Sequence, residues 1–145
     1  GGYCLEWPDQ YAPKLHSGEI IGVKEVYAPY WKIGEIVWQK KTEEGLIKTG
    51  VRLLSSEAIP LVARIPQNMG NRGDNLSCFL LPKDVSLGLK QPTFLAPNVR
   101  LQMGEKIRIA QEGNEQSIQL MAPVKETTYY SQFECAYIVL TAPQA

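Results

Sequence analysis

Histidine is almost missing from this chain. Its 145 residues hold one, His16. A zinc site built on two or three histidines is therefore excluded within a single chain. A Ser-His-Asp triad would have to use His16, which sits in "KLHSGE", a loop entering a strand. No G-x-S-x-G elbow accompanies it, and an exposed lone histidine in such a loop is expected to be inert. There is no Walker loop and no G-x-G-x-x-G after a strand. The carboxylates Glu43, Glu44 and Asp74 fall in turns, where solvation is their usual role. The expectation is a protein that is not an enzyme and holds no metal or cofactor. Charge of one sign is missing too, with 15 basic and 15 acidic residues, which argues against binding a nucleic-acid polymer. No apolar run nears the roughly 18–20 residues of a membrane span, and no basic stretch followed by an apolar one opens the chain. No membrane association is expected. The three cysteines, Cys4, Cys78 and Cys135, are odd in number and too far apart for a metal knuckle. They read as isolated thiols in a reducing, cytoplasmic compartment.

A helical period is absent as well: no window carries a 3.6-residue apolar repeat through three turns. One short helix, near Val85–Leu89 or Glu126–Gln132, is the most that is expected. Alternation with period two dominates instead. Ile47, Thr49, Val51 and Leu53 share one face of a strand, and Lys48, Gly50, Arg52 and Leu54 the other. Phe133, Cys135, Tyr137 and Val139 repeat the pattern, as do Ile118, Leu120 and Ala122. Further strands are expected at Tyr3–Trp7, Glu19–Val26, Trp31–Lys40, Ile59–Arg64, Ser77–Leu81, Thr93–Ala96 and Lys106–Gln111. "TEEG" at Thr42–Gly45 has the chemistry of a hairpin loop. About nine short strands at regular spacing mean an all-β protein, an antiparallel barrel or sandwich.

The longest polar, glycine-bearing stretch is "QNMGNRGDN". It is read as a linker, 67–76, between a β-rich portion 1–66 and a second one 77–145. Its Arg72-Gly73-Asp74 tripeptide and the Asn75-Leu76-Ser77 sequon read as loop chemistry rather than as adhesion or glycosylation sites. "HSGEIIGV", "KIGEIVWQ" and "QMGEKIRI" each set Gly-Glu at or inside an apolar strand. Turn preference alone, or a duplicated barrel unit, accounts for them. "FLLP" and "FLAP" are a second echo. The tryptophans, Trp7, Trp31 and Trp38, all lie in the first half. They suit a core or a stacking surface for bases. Trp31, which follows "YAPY", is the one expected to face solvent.

As a spaced set, Gly1-Gly2-Tyr3, Gly18-Glu19, Gly34-Glu35-Ile36-Val37-Trp38 and Gly50-Val51-Arg52-Leu53 resembles the PilZ family over about a third of the chain. PilZ domains are six-stranded β-barrels that bind the bacterial messenger cyclic di-GMP. The resemblance implies a PilZ-like antiparallel barrel, or two small packed barrels, with little helix. It also implies a cyclic di-GMP receptor module of a larger bacterial protein. The family's ligand motifs are R-x-x-x-R and [DN]-x-S-x-x-G. Paired guanidiniums clamp phosphates and stack on guanine, and the glycine admits close backbone approach. By the resemblance, Gly1 and Gly2 are the tail of the second motif. The arginines and the Asp-x-Ser step then precede residue 1. No R-x-x-x-R occurs in the chain, and Asp84-Val85-Ser86-Leu87-Gly88 is one residue too short for the second motif. The candidate ligand residues are Gly1, Gly2 and Trp31. The alternative is a degenerate barrel without nucleotide binding, contacting a protein partner or upstream domains of its own chain.

Overall fold

A computed structural model describes residues 2–11, 14–64 and 75–139. Gly1 and most of the expected linker lie outside the described residues. Packing density divides the chain into two units, Gly1–Ala58 and Ile59–Ala145. Both are antiparallel β-structures, as the alternating pattern requires.

The first unit holds β1 (Gly2–Pro8), β2 (Ile20–Val23), β3 (Trp31–Lys41) and the leading part of β4 (Leu46–Arg64). Their order is β2-β3-β4-β1. Alternation decides what faces inward. Thr49 and Val51 on β4 are buried beside Ile33 and Ile36 of β3, and each such aliphatic side chain contributes roughly 1.5–3 kcal/mol. The β3–β4 turn forms where the sequence places it. Thr42 donates its N–H to the Leu46 carbonyl at 2.8 Å, and Gly45 takes φ +81°, a conformation costly for residues with a Cβ.

The second unit closes on itself. It contains the end of β4, then β5 (Leu76–Leu81), β6 (Thr93–Pro97), β7 (Lys106–Gln111), β8 (Asn114–Glu126) and β9 (Tyr130–Ile138). The pairing runs β4-β5-β6-β9-β8-β7, and Val62–Arg64 of β4 pair again with Arg108–Ala110 of β7. Six strands therefore form a ring without a free edge, which removes the hazard an exposed edge presents. Inward residues alternate along each strand. Phe94, Ile107, Ile118, Leu120 and Phe133 fill the interior with Cys78 and Cys135. Burial pushes the Cys78 thiol up to about 12 and that of Cys135 up to about 11.

Several expectations are corrected in detail. No α-helix occurs among the described residues. Val85–Leu87 is a single 3-10 turn, capped by Asp84, whose carboxylate accepts the Ser86 N–H at 3.0 Å. Glu126 ends β8 and Tyr130–Gln132 begin β9, because the tyrosines and Thr127 favour a hairpin over a helix. The two strands expected at Ile47–Leu54 and Ile59–Arg64 are one, β4. Pro60 does not break it: at that point β4 pairs only with β5, through Phe79, so a missing N–H on the other side costs no ladder bond. β2 is shorter than expected and ends at Val23. Among the described residues no helix is long and apolar enough to cross a membrane.

Candidate functional site

The most distinctive surface of the first unit is the outward face of β4. Residues 50 and 52 lie on it, opposite in parity to the buried Thr49 and Val51. From Ile47 to Arg52 β4 is flanked on both sides, by β1 and β3. Gly50 lies between Cys4 of β1 and Trp38 of β3, and Arg52 lies between Gly2 and Glu35. The six residues form two adjacent rows on one face.

Trp38 is on that face because of a bulge. β3 shifts register between Ile36 and Trp38. In a regular strand Trp38 would share the inward parity of Ile36. The extra residue turns it outward, so Val37 and Trp38 are both exposed. The indole then lies against Gly50: a Cβ on Gly50 would overlap Trp38 Nε1. Close approach of ring to backbone is the reason for glycine here. Gly2 is constrained likewise, since a Cβ there would run into the Val51 carbonyl.

Arg52 supplies the charge. Its Nη2 donates to Glu35 Oε1 at 2.6 Å. The Glu35 side chain is 10% exposed and that of Arg52 50%, so the carboxylate anchors a guanidinium that still reaches solvent. A groove of about 380 Å³ runs along these rows, lined by Gly2, Tyr3, Cys4, Val37, Trp38, Gly50, Val51 and Arg52. A planar indole beside an oriented guanidinium suits a ligand that joins flat rings to phosphate. The groove contains no nucleophile–base pair. Among the described residues no group of three metal-ligating side chains occurs.

Of the residues expected to contact ligand, Gly1 is outside the described residues and Gly2 lines the groove. Trp31 is elsewhere. It lies at the start of β3, opposite Ala58, with its ring packed over Gly22, and the structure does not bring it together with Gly2. Trp38, Glu35, Gly50 and Arg52 belong to the expected spaced pattern, yet alternation alone does not reveal that they meet. Only the register and the bulge do. His16 is exposed and pairs with Glu19 at 2.9 Å.

A larger cavity of about 680 Å³ lies in the second unit, bounded by Asn98–Arg100, Glu126–Thr128 and Ser131. Two of its hydroxyls are engaged locally. Ser131 Oγ donates to the Val99 carbonyl at 2.8 Å, and Thr127 Oγ1 accepts the N–H groups of Tyr129 and Tyr130.

Residues 1–60 match the family described as the middle PilZ domain of the cyclic-di-GMP receptor FimW. Residues 61–138 match the FimW C-terminal β-barrel domain. The chain belongs to the PilZ-type FimW family. The cyclic-di-GMP receptor FimW of Pseudomonas aeruginosa is 26% identical over 134 residues, which cover 92% of this chain. The chain spans 22% of that relative's length. No solved structure matches it. The closed ring of β4–β9 is thus the FimW-type C-terminal barrel, and the groove with Arg52 and Trp38 lies in the PilZ unit.

Proposed function

We propose that this chain is the PilZ and C-terminal barrel part of a larger bacterial receptor, and that its first unit senses cyclic di-GMP in the cytoplasm. The observation that carries the reading is the groove. It sets a solvent-facing guanidinium and an exposed indole next to Gly2, the position at which the family's ligand loop would end. Arg52 would hydrogen-bond a phosphate and Trp38 would cover a guanine. Trp38 replaces Trp31 as the favoured stacking surface, because it shares the face of Gly2 and Arg52. Three unpaired cysteines fit a reducing compartment. The relative's description as a receptor supports binding over catalysis.

The test is calorimetry with cyclic di-GMP on this chain and on a form extended upstream. Binding is expected in the extended form. Arg52→Ala should weaken it about tenfold or more, the loss typical of a hydrogen bond to a charged group. An extended form that carries both family motifs yet binds no cyclic di-GMP would sink the proposal.

A further inference from the structure

The two units share more than strand content. The order β2-β3-β4-β1 of the first recurs as β7-β8-β9-β6 in the second, and matching positions make the same hydrogen bonds. The N–H of Gly18 donates to Ile36, whose own N–H donates to Glu19. The N–H of Gly104 donates to Leu120, whose N–H donates to Glu105. Both glycines have positive φ. The register breaks just after Ile36 on β3, and again just after Leu120 on β8. Thr42 accepts the Leu46 N–H on its hydroxyl, and Thr127 accepts that of Tyr130. Pro8 and Pro97 close the matching strands, and the next N–H, of Asp9 or Asn98, bonds the residue before β4 or β9. So many coincident bonds at corresponding places are not a product of turn preference.

This correspondence transfers the groove onto the second unit residue by residue. Ile36 pairs with Val51 and Leu120 with Cys135, so Arg52 corresponds to Ala136 and Gly50 to Glu134. Glu35 corresponds to Gln119, the residue opposite Ala136. The cation is gone, its carboxylate anchor is neutral, and the bare floor beneath the indole carries a carboxylate.

We infer that the units are copies of one fold, and that Glu134 and Ala136, in place of Gly50 and Arg52, deny the second copy the anion-binding face that completes the ligand loop of the first. The first takes an anionic dinucleotide and the second is closed to it. This rests on the cyclic di-GMP reading above. A phosphate brought to the second face would meet Glu134 with no guanidinium to offset it, and like charge disfavours that approach.

The experiment is amide hydrogen exchange of the upstream-extended protein with and without cyclic di-GMP, together with titration of two variants. Protection is expected at 35–38 and 50–52 and not at 119–121 or 134–136. Arg52→Ala combined with Glu35→Gln removes the cation without leaving a nearly buried carboxylate facing an empty place; it should lower affinity at least tenfold. Ala136→Glu should leave affinity within twofold. Protection at 134–136, or a loss with Ala136→Glu as large as that with the Arg52 variant, overturns the inference while the receptor reading survives. Absence of any binding by the unmodified protein overturns both.

Discussion

Gly50 and Trp38 show how one missing side chain shapes a surface. The indole occupies the space a Cβ would need, so Gly50→Val cannot be accommodated without moving the ring. We expect a loss of about 1–3 kcal/mol in stability, the usual cost of overpacking, together with weaker ligand binding. The urea midpoint measures the first effect. At Cys78 and Cys135 the relevant property is burial. Both thiols titrate above their ordinary value of 9.0 in the folded chain. The unfolded chain therefore loses these protons first as pH rises. Stability should be unaffected by them below about pH 9 and should fall from there toward pH 11 and 12, by up to about 1.4 kcal/mol per pH unit for each thiol. Denaturation curves between pH 8 and 11 on the native chain and on Cys78→Ala test this, and an equal decline in both would contradict it. The period-two pattern marks 50 and 52 as one face and 51 as the other. It does not say that Glu35 faces Arg52, because that pairing depends on a bulge whose position no local propensity records.

At the scale of elements, a strand is legible where one face is apolar and the other polar. β4, β7 and β9 satisfy this and lie where the alternation puts them. What the pattern hides is continuity. "SSEAIP" carries polar residues and a proline, the marks of a break, yet β4 runs through it because its neighbours change there. The helix expected at Glu126–Gln132 fails for a related reason: Thr127 is a turn residue that bonds two backbone N–H groups. Leu120 joins β8 to the barrel interior and is fully buried. Leu120→Ala should cost about 2–5 kcal/mol, with amide protection falling in β7, β8 and β9. Unchanged protection in those strands would mean that the ring does not depend on its core.

For the whole molecule, the paired bond patterns lead to a paired prediction. Gly18 and Gly104 hold the same turn in the two units with φ +97° and +89°. A residue with a Cβ pays roughly 1–2 kcal/mol in that region. Gly18→Ala and Gly104→Ala should therefore destabilise by similar amounts, each in its own unit, as read by local amide exchange. A large effect at one and none at the other would break the equivalence. All three tryptophans, Trp7, Trp31 and Trp38, lie in the first unit. Emission excited at the long-wavelength edge of the protein's absorption band, where only indole absorbs, therefore carries no signal from the C-terminal ring. A melting curve followed that way reports the first unit. The other half has to be followed through its tyrosines or through the release of its two hidden thiols.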